Sequence, residues 1–164
     1  MVELTGKTLT RVFLEQAALR GDGVALREKD FGIWQRVTWN QYLEQVRYFS
    51  LGLRQLGFRR GDHLAVLSEN CREWLYAGLG AVSLGGVVLG VYSTSPYPEV
   101  HYVVKHADAV IVVCEDQEQT DKILAVTHDL PKLKKIIVKD MKGLRHYPKD
   151  AIISFERVIQ RGRE

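Results

Sequence analysis

Residues Gly85–Leu124 read "GGVVLGVYSTSPYPEVHYVVKHADAVIVVCEDQEQTDKIL". Val87 to Tyr92 is a short apolar run after a glycine pair, the pattern of a buried strand. Pro96 to His106 follows with helical spacing, Val110 to Cys114 is a second apolar run, and Gln117 to Thr127 is helical again. Strand, helix, strand, helix in unbroken alternation predicts a mainly parallel sheet with helices on both faces, a three-layer α/β fold.

Between the first strand and its helix stand three hydroxyl residues, Ser93, Thr94 and Ser95, directly before Pro96. Ser95 then Pro96 matches the N-cap and first-turn positions of a helix, so Ser95 is predicted to satisfy an otherwise orphan amide. A second reading stands beside it. In open α/β sheets ligands bind beyond the carboxyl ends of the strands, where Ser68, Asn70, Tyr92, Ser93 and Thr94 all fall. Tyr92, Ser93 and Thr94 are therefore candidates for the wall of a substrate channel. No nucleophile or acid–base pair accompanies them, and no catalytic residue is assigned.

Working towards the N-terminus, "HLAVLSEN" at His63–Asn70 reads as another buried strand, with Asn70 predicted to cap a helix beginning at Cys71. That helix is apolar nearly all round, as helices between two layers are. Upstream, Thr38 and Gln41 form a capping box ahead of the stripe Tyr42, Val46, Phe49, Leu53 and Leu56, which stops at Gly57. "VALREK" and "IWQRVTW" flank "DFG", a hairpin signature, and Leu9, Val12, Phe13 and Ala17 predict a short first helix ending at Gly21. Towards the C-terminus come a strand at Ile136–Lys139 and a last helix, "FERVIQRG", that Ser154 can cap.

Composition removes several function classes. The 164 residues are 46% hydrophobic and 26% charged, enough for one sizeable core and too ordered in pattern for a disordered tail. The net charge of +3 is too small to imply nucleic acid. Its distribution is uneven, since Lys132–Lys149 holds seven Lys or Arg against the single acid Asp140, a local charge of +6. No aromatic interleaving accompanies those cations, so a solvated face or a surface for another part of a longer chain explains them better than RNA. The stretch "WLYAGLGAVSLGGVVLGVY" carries no charge, yet its glycines divide it into a helix and a strand, so no membrane span is expected and at most peripheral membrane association. Cys71 and Cys114 make no disulfide framework, no signal-peptide pattern opens the chain, and a cytoplasmic location is expected.

The short motifs are equally restrictive. "GLGAVS" at Gly78–Ser83 lies inside a helix instead of at a strand-to-helix turn, so its glycines are expected to serve close packing against the sheet. His63, His101, His106, His128 and His146 form no H-x-x-x-H pair and the cysteines no C-x-x-C, so no metal site is assigned. Cys71, without a placed base, is read as a small buried residue.

The ordered set of Thr38-Trp39 with Leu43, "RRGDHLAVLSENCREW" at Arg59–Trp74, "GGVVLGVYSTS" at Gly85–Ser95 and "EDQEQTDKIL" at Glu115–Leu124 resembles the N-terminal region of the AMP-forming acyl-CoA synthetases. Gly90, Tyr92 and Thr94, with Gln119, Lys122 and "LPKLK" at Leu130–Lys134, are most similar to the long-chain, bubblegum-type fatty acid–CoA ligases. The resemblance runs from Leu9 to Gly162. It implies a ligase that joins a fatty acid to coenzyme A through an acyl-adenylate, consuming ATP with Mg and releasing AMP and pyrophosphate. The loop rich in Ser, Thr and Gly that ends in Lys, the Tyr-Gly-x-Thr-Glu motif, the acidic ribose contact and the catalytic Lys of the mobile domain are not in this sequence. Residues 1–164 are therefore expected to be a single N-terminal subdomain, inactive alone, whose partner is the rest of the ligase chain, with room for a homodimer. The rival reading is a noncatalytic interaction domain that uses its basic Lys132–Lys149 surface to hold a partner. A flavodoxin-like binder is a third, weakened by the lack of a phosphate loop after the first strand.

Overall fold

The computed structural model describes residues 6–164. Strands β1 (Val24–Asp30) and β2 (Ile33–Thr38) form an antiparallel hairpin after helix α1 (Leu9–Arg20). Helix α2 (Trp39–Gln55) leads into β3 (His63–Leu67), α3 (Arg72–Ser83), β4 (Val87–Val91), α4 (Tyr97–His106), β5 (Ile111–Cys114) and α5 (Gln117–Leu124). A 3-10 turn, β6 (Lys135–Val138), β7 (Ile152–Ser154) and α6 (Phe155–Arg163) complete the chain. The five strands β3 to β7 form one wholly parallel sheet in the order β4-β3-β5-β6-β7. The expected three-layer α/β architecture, with an N-terminal helix and hairpin ahead of it, is what the chain adopts. β7 is the addition: its three residues are too few to show a period, and it exists by pairing with β6.

Period-two alternation divides the core. Leu64 and Val66 of β3, Ile111 and Val113 of β5 and Ile137 of β6 face one side, where Val46, Phe49 and Leu53 of α2, Ala77 and Ala81 of α3 and Val158 of α6 cover them. Ala65, Leu67, Val112, Cys114, Ile136 and Val138 face the other, under Val100 and Val104 of α4 and Ile123 of α5. Every residue of β5 is buried, as a central strand of a parallel sheet requires. No helix among the described residues is long and apolar enough to cross a membrane. Gly80 of α3 serves packing, but against α2: a Cβ there would stand 2.9 Å from Cδ1 of Phe49. Gly78 faces Trp74 and, on the sheet, Val88.

The caps separate local from non-local information. Thr38 Oγ1 accepts from the Gln41 N–H at 3.2 Å while Gln41 Oε1 accepts from the Thr38 N–H at 2.9 Å, a complete capping box. Ser154 accepts from the Arg157 N–H at 3.1 Å. Asn70 does not cap. Helix α3 starts at Arg72 with Cys71 as its extended N-cap, which leaves Asn70 one residue outside and exposed. Ser95 does not cap either. Pro96, at φ −68° and ψ 156°, is itself the extended cap residue, and Ser95 is buried behind it. Pro98 in the first turn has no N–H, so the start of the helix carries one donor fewer that needs a cap. Thr38→Ala is accordingly expected to lower stability by about 0.5–2 kcal/mol, and Asn70→Ala by less than about 0.5 kcal/mol. Urea denaturation midpoints of the two variants check this, and an Asn70→Ala loss matching that of Thr38→Ala would contradict the cap assignment.

Candidate functional site

Parallel register brings five strand ends to one rim. Val91, Leu67, Cys114, Val138 and Ser154 lie level with one another across the sheet. The residues that follow them, Tyr92, Ser68, Glu115, Lys139 and Phe155, begin the rim. β4 lies on one side of β3 and β5 on the other, so the topological switch point falls beside β3, where a doubly wound sheet usually opens a ligand crevice.

Here that crevice is stitched. The Glu69 N–H donates to Glu115 Oε2 at 2.8 Å, joining the loop after β3 to the loop after β5. The Ser93 hydroxyl donates to Glu69 Oε1, joining the loop after β4 to the same residue. Lys122 of α5 donates to the carbonyls of Ser93 at 2.7 Å and Ser95 at 3.3 Å, which fixes the hydroxyl segment from below. Lys139 stands 3.8 Å from both Glu73 Oε2 and Glu115 Oε1. Burial pulls the Lys139 pKa down, but Cys71, Glu73, Glu115 and Glu28 outweigh it and hold the ammonium above its ordinary value. Arg72 likewise bridges Glu73 at 3.0 Å and Glu28 at 3.4 Å. Glu73 Oε1 accepts from Arg72 Nε–H at 3.0 Å, whereas its Oε2 is buried with no hydrogen-bond partner and faces the Lys139 ammonium at 3.8 Å.

Of the sequence-predicted site residues, the structure brings Ser68, Ser93 and Tyr92 to the rim, and they differ in kind. Ser93 is half-buried and engaged, Tyr92 is 80% exposed, and Thr94 is exposed beside it. Ser68 donates to the Glu69 carbonyl at 2.8 Å and lies 3.5 Å from Cys71 Sγ. Burial pushes the Cys71 thiol up, the wrong direction for a nucleophile, and Cys114, wholly enclosed, is pushed up further. The residues that sequence reasoning missed are Glu69, Glu73, Glu115 and Lys139. A signal existed for two of them: Glu115 and Lys139 directly follow strands, as Ser68 does. Nothing local marks Glu69 as the residue that ties three loops.

The cations at the rim are already engaged. Lys139 stands between Glu73 and Glu115, Arg72 pairs with Glu73, Lys122 is held by two carbonyls and Glu118, and the Glu69 amide that could hold a phosphate is bound to a carboxylate. Among the described residues no group of three His, Cys, Asp or Glu side chains is arranged to hold a metal ion. The basic stretch is also largely engaged: Lys132 pairs with Asp108 at 2.7 Å, Lys134 with Asp62 at 3.5 Å and Lys142 with Asp140 at 3.4 Å. With Lys139, four of the seven cations of the stretch thus stand in ion pairs.

Comparison with known proteins places this geometry. The family described as AMP-binding enzyme matches residues 13–157. The long-chain-fatty-acid–CoA ligase ACSBG2 of Xenopus laevis is 38% identical over 130 residues, covering 79% of this chain and 18% of its own length. The ACSBG1 ligase of Bos taurus is 29% identical over 160 residues, 98% of this chain and 22% of the relative. The chain thus spans about a fifth of the curated relatives it matches. In fold it is similar to the anthranilate CoA ligase AuaEII solved with anthranoyl-AMP, at a TM-score of 0.81 and 22% identity over 97% of this chain and 30% of that one. A putative long-chain-fatty-acid CoA ligase from Rhodopseudomonas palustris superposes at 0.78 with 24% identity, over 95% of this chain and 37% of that one. The match over residues 13–157, together with the five-stranded parallel sheet and its hairpin, shows that the chain belongs to the AMP-binding enzyme family.

Proposed function

We propose that this chain is the N-terminal subdomain of a long-chain fatty acid–CoA ligase, that its partner is the remainder of such a ligase, and that alone it performs no adenylation. The observation that carries the reading is similarity to ACSBG-type ligases over most of the chain, combined with a rim whose cations are already paired with carboxylates. A carboxylate attacking the α-phosphate of ATP needs free cations and free amides around the transferring group, whereas here Lys139 and Arg72 are paired with carboxylates and the Glu69 amide is bound to Glu115. ATP, Mg and coenzyme A are then held by other parts of the ligase, and the role of this subdomain is to support and shape the passage for acyl chain or coenzyme A.

Two measurements test it. The chain alone should give no fatty-acid-dependent exchange of pyrophosphate into ATP, whereas the same segment, replacing its counterpart in the Xenopus relative, should preserve exchange. Exchange by the pure isolated chain would overturn the reading, and so would a well-folded chimera without any. In the same chimera, Thr94→Trp should raise the KM for fatty acid or coenzyme A by about tenfold while the KM for ATP stays put, the signature of binding lost at one substrate. Exposed Tyr92 and Thr94 at the strand ends support that placement. If no KM moves and only the melting temperature falls, the segment is structural.

A further inference from the structure

We propose that the β1–β2 hairpin is a membrane-docking element that seats its tip in an anionic lipid surface. The inference rests on the hairpin alone and stands or falls apart from the ligase reading. Register separates its two faces, because directly opposed residues of an antiparallel pair point the same way. Leu26 opposite Val37 and Glu28 opposite Gln35 form the inner face, with Val37 buried and Glu28 3.4 Å from Arg72. Arg27 opposite Arg36 and Lys29 opposite Trp34 form the outer face, and all four are exposed. None of these three cations has an ion-pair partner among the described residues, whereas Lys132, Lys134, Lys139 and Lys142 of the other basic stretch are each paired.

The apex adds a second, independent observation. The two-residue turn has positive φ at both positions, 45° at Phe31 and 81° at Gly32. Turns of this kind favour Asn, Asp or Gly at the first position, and a bulky aromatic there is strained. Yet Phe31 is 96% exposed, with Ile33 at 66% and Trp34 at 61%. A strained residue with no contact to the rest of the fold is explained by something outside it. Strand rise then sets depths: Trp34 and Lys29 lie roughly 7 Å behind the apex and Arg27 and Arg36 roughly 13 Å behind it. That order, aromatic tip, tryptophan, then cations, follows the gradient from acyl boundary to headgroup phosphates over the ~5–10 Å that interfacial elements penetrate. The projecting shape and the unpaired charges favour a lipid surface over a protein groove. Asp30, exposed near the tip on the face of Ile33, opposes the docking.

The test is co-sedimentation of the full chain with phosphatidylcholine vesicles, with and without a minority of phosphatidylserine. Binding should require the anionic lipid, weaken with salt, and shift the Trp34 emission to shorter wavelength, a shift absent from Trp34→Phe. Phe31→Asn removes the apolar tip but relieves the turn, so it should weaken binding about tenfold while raising the melting temperature, which separates docking from folding. Lys29→Gln and Arg36→Gln should each weaken binding about fivefold, and Asp30→Asn should strengthen it. The proposal is overturned if anionic vesicles pellet no protein or pellet Phe31→Asn as well as the parent. It is equally overturned if the tip is instead buried between two copies, seen as a dimer in sedimentation velocity that Phe31→Asn abolishes.

Discussion

Phe49→Ala is expected to cost about 4 kcal/mol, the range of fully buried aromatic truncations. Phe49 has no exposed surface and stacks on Phe155 of α6 with ring centroids 4.5 Å apart and an interplanar angle of 17°. Its other side meets α3 at Gly80, where even a methyl group would crowd it. The ring thus fills the junction of three helices over the sheet. For a domain of this size the loss corresponds to a melting temperature lower by roughly 8–16 °C. Phe49→Leu, which keeps much of the volume, should cost less than half as much. A Phe49→Ala loss under about 1 kcal/mol would mean that the site collapses freely and that the junction is not tightly packed.

The second large effect reverses the usual sign of a substitution. Replacing glycine by alanine inside a helix ordinarily stabilises by about 1 kcal/mol. At Gly52 of α2 the added Cβ would lie 2.2 Å from the Val158 carbonyl oxygen and 2.7 Å from its Cγ1. At the same crossing a Cβ on Gly162 of α6 would lie 1.8 Å from the Tyr48 carbonyl oxygen and 3.0 Å from the Gly52 nitrogen. All but Val158 Cγ1 are backbone atoms, so no rotamer change relieves them; the helices must part. Gly52→Ala is therefore expected to destabilise by about 3 kcal/mol, the upper end of overpacking costs, and to outweigh its own propensity gain. Gly78→Ala is the contrast, since its Cβ would meet a half-buried Trp74 ring at 3.2 Å that has room to shift. Thermal unfolding of both variants decides the matter, and a stabilised Gly52→Ala would refute the close α2–α6 approach.

Much of the candidate site was legible one residue at a time and illegible as an arrangement. Ser68, Tyr92, Ser93 and Thr94 could be placed at the carboxyl ends of strands because strand positions follow from local apolar runs and their common direction from the alternation with helices. Which of them is engaged could not be read. Ser93 is tied to Glu69, 24 residues earlier, and Glu69 to Glu115, 46 residues later, and no local pattern specifies such pairings. The same holds for the outer face of the hairpin: "DFG" announces a turn, but the register that gathers Arg27, Lys29, Trp34 and Arg36 comes from the pairing.

By itself, the sequence determined the order of the elements other than β7, the parallel three-layer class, the capping box at Thr38 and Gln41 and the Ser154 cap. All of these rest on period, propensity and hydrogen bonds between residues three apart. Tertiary structure alone decided the strand order β4-β3-β5-β6-β7, the existence of β7, and the one-residue shifts that take capping away from Asn70 and Ser95. It also decided the helix crossing at Gly52 and Gly162 and the stitched rim at Glu69. The physical reason is common to these: where an element starts, or how closely two approach, is settled by competition among contacts distant in the chain. A local pattern states which conformations a segment tolerates; packing selects one.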